Sequence, residues 1–280
     1  MVSTPSSAIP WGRMVVYTIL LLTALYFLLP LLVMVNTSLK DLEDIRTGNL
    51  LSLPVEITFG AWAKAWEAMD GYFWNSVKIV VPAVLISTLL GAFNGYVLTK
   101  WRFRGSEVFF AMLLIGCFIP FQVVLLPMAR TLGAVGLAGT TTGLVFVHIV
   151  YGLAFTTLFF RNFYVAVPDE LVKAARIDGA GFFTIFWRIL LPVSTPIIVV
   201  SVIWQFTQIW NDFLFGVVYS AGDAQPITVA LNNLVNTSTG VKEYNVDMAA
   251  AIIAALPTLL VYVVAGKYFV RGLTAGSVKG

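Results

Sequence analysis

The chain has one cysteine, Cys117, and one histidine, His148. A disulfide framework needs paired cysteines, and a catalytic zinc draws on several Cys, His or acidic ligands, so neither is expected here. No G-x-x-x-x-G-K-[ST] phosphate loop and no G-x-S-x-G nucleophile elbow occurs. The chain is therefore not expected to hydrolyse ATP itself or to act as a serine-type enzyme. Its informative polar residues lie in apolar surroundings. At helical spacing Ser201, Gln205, Gln208 and Asp212 fall within about 60° of one face, with Asn211 beside them. An acid turned toward lipid would cost at least about 2.5–3.5 kcal/mol, so this stripe should face a helix bundle or a wet cavity. A substrate pathway is one reading; interhelical hydrogen bonding, or an acid snorkelling near the outer surface, is the other. Trp204 and Trp210 flank the stripe, and aromatic faces suit both sugar rings and membrane interfaces. Upstream, Ser87, Gly91 and Gly95 recur every four residues with Asn94 on the same side. That spacing reads as close helix packing, with Asn94 able to line a path. His148 reads as a helix-packing histidine, with a ligand or proton-relay role as the alternative. Cys117 reads as a small packing residue.

The elements that carry these residues follow from composition. Of 280 residues, 59% are hydrophobic and 11% charged. Soluble domains carry about 25% charged residues, so the composition indicates an integral membrane protein. Six apolar runs are long enough to cross: about Met14–Val35, Val77–Leu98, Val108–Ala129, Thr142–Phe160, Leu190–Tyr219 and Met248–Phe269. Backbone groups in hydrocarbon must pair within their own segment, so each run is expected to be a helix. The first run is expected to be a retained anchor rather than a cleaved signal. The formal net charge is only +3, so placement matters more than sum. Arg13, Lys100, Arg102, Arg104, Arg161, Lys173, Arg176, Arg188, Lys267, Arg271 and Lys279 fall on one side of the six runs. The positive-inside rule makes that side, with both termini, cytoplasmic. No polar segment is long enough for a separate core, so residues 1–280 are expected to form one membrane domain.

Between the fourth and fifth runs lies the cytoplasmic segment Val167-Pro168-Asp169-Glu170-Leu171-Val172-Lys173-Ala174-Ala175-Arg176-Ile177-Asp178-Gly179-Ala180. Pro168 suits a first helical turn, Asp169 and Glu170 suit the positive helix end, and Gly179 can stop the helix. Leu171, Ala174 and Ala175 are expected on one face, with Ile177 near another. The product is a short helix whose small residues permit close approach by a partner, or a plain connecting loop.

This segment resembles the coupling-loop signature of binding-protein-dependent ABC importer permeases. The signature reads E-A-A, three residues, G, nine residues, I-x-L-P. The chain has Lys173-Ala174-Ala175, Gly179, then Ile189, Leu191 and Pro192 at those spacings. Lys173 stands where the family usually has Glu, which reverses the charge at a position that helps to fasten the loop to the ATPase. The likeness extends over residues 14–280 and is nearest to the smaller, six-helix permease of maltose-type carbohydrate importers. Trp210-Asn211-Asp212-Phe213 and the ending Arg271–Gly280 are among the matching stretches.

The resemblance implies an all-α integral membrane fold of the type I ABC importer permease, with six transmembrane helices and a coupling helix. It implies a second homologous permease, two ATP-binding subunits and an extracytoplasmic sugar-binding protein as partners, in a bacterial or archaeal cytoplasmic membrane. ATP and Mg would be bound by the partner ATPase, with no cofactor on this chain; lipid is a partner and nucleic acid is not. Lys173, Ala174, Ala175, Asp178, Gly179 and Ala180 are then expected to meet the ATPase. Thr274, Gly276 and Lys279 of the tail are expected to reach the ATPase dimer. Asn94, Gln205, Gln208, Asn211 and Asp212 are the candidate substrate pathway. Residues 232–247 resemble permeases for glucose or mannose, so a monosaccharide is expected. An ion-coupled secondary transporter using Asp212 is the competing expectation. The absence of an evident inverted repeat weighs against it.

Overall fold

The computed structural model describes residues 11–49, 51–236 and 242–275, and those residues are helical with short connections. In chain order the helices are α1 (Trp11–Ser38), α2 (Leu42–Thr47), α3 (Gly60–Thr99), α4 (Ser106–Phe118), α5 (Phe121–Ala134) and α6 (Thr141–Ala166). They continue with α7 (Asp169–Ile177), α8 (Phe182–Val193), α9 (Thr195–Trp210), α10 (Leu214–Tyr219), α11 (Ile227–Asn236) and α12 (Tyr244–Ala275). Four of them, α1, α3, α6 and α12, are long and apolar enough to cross a membrane singly. Two further pairs pass the same test together but are bent, α4 with α5 by 102° and α8 with α9 by 77°. Counting each pair as one crossing gives six.

The bends revise two expected spans. Hydropathy joined Val108–Ala129 into one segment, yet the helix stops at Phe118 and restarts at Phe121. Pro120, whose ring excludes an N–H, occupies the N-cap of α5 and separates the two. The fifth segment was expected to run from Leu190 to Tyr219. It breaks at Ser194, and α9 ends at Trp210. A π-helical turn, Phe186–Leu190, precedes Pro192, where the backbone donor is missing. The second segment is longer than expected, 40 residues in α3 rather than about Val77–Leu98.

The contacts divide the chain into two compact units. The first holds residues 11–68 and 242–253. In it α1 presents its apolar stretch with nothing buried, as suits a helix surrounded by lipid. The polar turn after α1 is tied internally. Asp41 caps α2 by accepting the Asp44 N–H at 2.7 Å. The buried Lys40 donates to Ser52 Oγ at 3.0 Å, and Asn245 Nδ2 donates to the Lys40 carbonyl at 2.9 Å. Lys64 and Glu243 form an ion pair at 2.7 Å.

The second unit holds residues 69–236 and 254–275. Here α3, α6 and α9 pack through small residues. A Cβ added at Gly91 would stand 2.4 Å from the Thr156 side chain, and one at Gly95 2.8 Å from Phe160 Cβ. The close approach lets Thr156 Oγ1 donate to the Ser87 carbonyl at 2.9 Å. Gln205 Nε2 reaches Ser87 Oγ at 2.7 Å, and Thr88 and Ser201 hydroxyls meet at 3.1 Å. The small-residue spacing thus does what the sequence suggested. Below it lies a buried cluster of Tyr96, Phe160, Tyr164, Ile185, Phe186 and Leu190.

Replacing Gly91 by Leu should therefore overpack the α3–α6 contact, at about 1–3 kcal/mol. Gly71→Leu, on the same helix but facing open space, is its control. Thermal unfolding in detergent should fall clearly for the first and stay near wild type for the second.

Candidate functional site

Two places gather the candidate residues. The first is α7. Pro168 caps its start, and Asp169 and Glu170 lie in the first turn. Its end closes as a Schellman turn: Ala180 N–H donates to the Ala175 carbonyl at 2.9 Å, and Gly179 N–H to the Arg176 carbonyl at 3.0 Å. Gly179 has φ +82°, a conformation that side chains other than Gly rarely adopt. The face turned inward is Val172 and Ala175, both buried in the aromatic cluster, with Ala180 packed against it. Leu171, Lys173, Ala174, Ile177, Asp178 and Gly179 are exposed. This separates residues that the sequence reading grouped: Leu171 and Ala174 face out while Ala175 faces in. The face carrying the core residue Val172 was missed, although an i, i+3 apolar pair flanked by charges marks it.

Helix α7 is also tied at its start. Lys100 Nζ donates to the Val167 carbonyl at 2.6 Å and to Asp169 Oδ1 at 2.5 Å. The Lys100 hydrogen bond, and then its charge, hold the Asp169 carboxyl below the usual carboxylate range. Arg176 donates to the Lys100 carbonyl at 3.3 Å, and its guanidinium lies 4.3 Å above the Trp101 ring. Together Lys100, Arg102, Lys173 and Arg176 line a basic hollow of about 400 Å³ beside α7. Toward α8, the Tyr96 hydroxyl donates to the Phe182 carbonyl at 3.2 Å.

The second place is a cavity of about 620 Å³ between α6 and α9, lined also by residues 211–215. The sequence reading put Asp212 on the α9 face with Gln205 and Gln208. Because α9 ends at Trp210, Asp212 instead opens α10: its carboxylate accepts the Phe215 N–H at 3.3 Å and the Gly216 N–H at 3.1 Å. Those donors have no partner within the helix, so the acid satisfies them as a cap. Gln208, Asn211 and Asp212 nonetheless all line the cavity. Gln205 lines it too, but its buried amide is spent on Ser87, which fits the interhelical reading. Ser201 is buried and bonded to Thr88, again between helices. Asn94 is not among the lining residues; it bonds Thr157 Oγ1 at 3.2 Å. Of the tail residues, Thr274 falls within α12, whereas Gly276 and Lys279 lie outside the described residues.

Two titratable lining residues lie outside the candidate pathway. His148, expected to pack between helices with a ligand or relay role as the alternative, is buried against Phe215, and its Nε2 stands 3.7 Å from Asp212 Oδ2. Tyr151 was passed over, and its buried hydroxyl has no hydrogen-bond partner among the described residues. A sequence signal existed: His148, Tyr151, Gly152 and Phe155 follow the i, i+3, i+4, i+7 pattern of one helix face.

Residues 83–274 match the family model described as the binding-protein-dependent transport system inner membrane component. The chain belongs to this family. It is 39% identical over 270 residues to a probable ABC transporter permease protein of Pyrococcus horikoshii, covering 96% of this chain and 98% of that one. It is 33% identical over 284 residues to the xylose/arabinose import permease protein of Haloferax volcanii, with 93% and 92% covered. A glucose import system permease of Saccharolobus solfataricus is 28% identical over 266 residues, with 92% of each covered. The fold matches a bacterial ABC transporter for alginate import with a TM-score of 0.84, at 22% identity and covering 96% of this chain and 100% of that one. The chain is thus an ABC importer permease built of membrane-spanning helices.

The Lys100 contacts predict how α7 is held. Since Asp169 is depressed in the fold, its contribution is fully present above the ordinary carboxylate range and is lost as pH falls through its lowered value. Amide exchange of α7 should therefore be steady from neutral to mildly acidic pH, after correction for intrinsic rates. In Lys100→Met, which loses both the Val167 and Asp169 contacts, the first turn of α7 should exchange faster at every pH.

Proposed function

We propose that this permease is one of two homologous membrane subunits of a sugar importer, and that it carries a monosaccharide such as glucose or mannose inward. The names of the Haloferax and Saccharolobus relatives support the monosaccharide class. Two ATP-binding subunits, holding ATP and Mg, and an extracytoplasmic sugar-binding protein complete the machine. The chain sits in a cytoplasmic membrane with both termini inside, and it is not itself an enzyme.

The observation that carries the reading is the two-faced α7. One face, Val172 and Ala175, is locked into the aromatic core, and the other, Leu171, Ala174 and Ile177, is uncovered. A short helix so built transmits force: a partner grips the outer face, and the inner face pulls α8. In this mechanism closure of the ATPase dimer displaces α7, and α8 passes the shift through the π-turn to α9 and the cavity. Lys173, Asp178 and Gly179 lie on or beside the gripped surface, and Thr274, Gly276 and Lys279 are assigned to the ATPase dimer. Lys173 then calls for an acidic neighbour on the ATPase, where the family's usual Glu would call for a basic one.

The experiment is to assemble the chain with its partners and change Gly179 to Leu, a residue strained at φ +82°. The expected result is a transporter whose ATPase no longer responds to sugar-loaded binding protein. Intact assembly with wild-type stimulation would remove α7 from coupling. Uptake by this chain alone in liposomes, driven by a proton or sodium gradient, would replace the importer reading with the ion-coupled one. Calorimetry on the cognate binding protein identifies the sugar.

A further inference from the structure

The cavity between α6 and α9 has chemistry of its own. Its volume, about 620 Å³, lies within the ~300–1,000 Å³ of small-molecule sites. One side is aromatic. Trp204 is fixed edge-on to Phe159 and tilted against Phe155, with ring centroids 5.6 and 4.8 Å away. A second side is polar. Tyr151 lines it with its ring, while its hydroxyl is closed off from the open space. The Gln208 and Asn211 side chains are exposed on the lining, and the Asp212 carboxylate stands near the His148 ring.

Exposed amides and a carboxylate beside an indole face present donors and acceptors next to an apolar plane. Such a set fits a ring with several hydroxyls on its edge and C–H groups on its face. Charge narrows the class further. Among the described lining residues none is Lys or Arg, and one is an acid. A ligand carboxylate brought here would be stripped of water beside the Asp212 carboxylate, with no Lys or Arg to meet it.

We propose that this subunit itself binds the sugar at this cavity, and that the site accepts neutral sugars and rejects uronates. Gln208 is the specificity-determining residue, giving hydrogen bonds to ring hydroxyls, while Trp204 supplies the stacking face. The proposal rests on the sugar reading above and adds where the sugar is held and of which charge class it is.

The test measures binding rather than coupling, so its failure is distinguishable from failure of the importer reading. The assembled transporter is placed in lipid nanodiscs without the binding protein. Saturation-transfer NMR is titrated with methyl α-D-glucoside and, separately, with sodium glucuronate. The wild type should bind the glucoside and give no transfer to glucuronate. Gln208→Ala, at an exposed position, should weaken glucoside binding by about fivefold, the factor one neutral hydrogen bond supplies, whereas Tyr151→Phe, which removes an oxygen closed off from the cavity, should leave it near wild type. Gln208→Arg, which adds the missing cation, should admit glucuronate. Size-exclusion chromatography checks assembly of each variant. Glucuronate binding equal to glucoside in the wild type would overturn the charge-class proposal. Wild-type affinity in assembled Gln208→Ala, or no glucoside transfer at all, would overturn the site.

Discussion

The close approach of α3 and α6 is the constraint on which the second unit depends. Gly91 and Gly95 have no room for a side chain, so the two backbones nearly touch. In hydrocarbon there is little hydrophobic force to bring helices together, and small residues let dispersion and polar contacts do it instead. Once α6 lies against α3, Thr156 meets the Ser87 carbonyl, and the Ser87 hydroxyl is free to receive Gln205 from α9. That contact also needs Gly152, since a Cβ there would stand 1.9 Å from Gln205 Nε2. The result orients α6 so that His148, Tyr151 and Phe155 line the cavity beside α9, with Phe155 packed on Trp204.

Much of this was legible in the sequence, for physical reasons. Apolar length marks a crossing because lipid thickness is fixed, so four of the apolar runs lie within single long helices, α3 extending well before its run. The signature from Lys173 to Pro192 marked α7, and Gly179 marked its end because only glycine adopts that turn readily. Hydropathy does not register breaks, however. The apolar run through Ile119 and Pro120 looks continuous, because a proline changes hydrogen bonding and leaves hydropathy almost untouched. For the same reason the polar stripe was extended one turn too far: a face drawn at 100° per residue assumes an unbroken helix, and α9 stops before Asp212. The distinction between Gln205, bonded to Ser87, and Gln208, exposed on the cavity, is tertiary, and no single-helix pattern could separate them. Tyr151 was hidden by ordinary composition, since a tyrosine in an apolar run is unremarkable until its hydroxyl is found without a partner.

The aromatic cluster connects α7 to the segment leading into α9 by continuous packing. Val172 and Ala175 of α7 share it with Tyr96 and Phe160, and with Phe186 and Leu190 at the π-turn before α9. Packed interiors are stiff and do not stretch, so a displacement of α7 is passed on rather than absorbed. The π-turn and the break at Ser194 are the points in that line where the backbone is least regular. In the proposed coupling, bending falls at these few residues and α9, which carries Gln208, moves as a unit.

Across its apolar stretch α1 buries no residue against the described chain. Within this chain, leucine, valine or isoleucine serve equally well there, under the single requirement of total apolarity over one bilayer thickness. The positions facing Gly91 and Gly95 have no such freedom. The same membrane therefore imposes two different grammars on one chain: composition alone for α1, and atom-by-atom fit for α3 and α6.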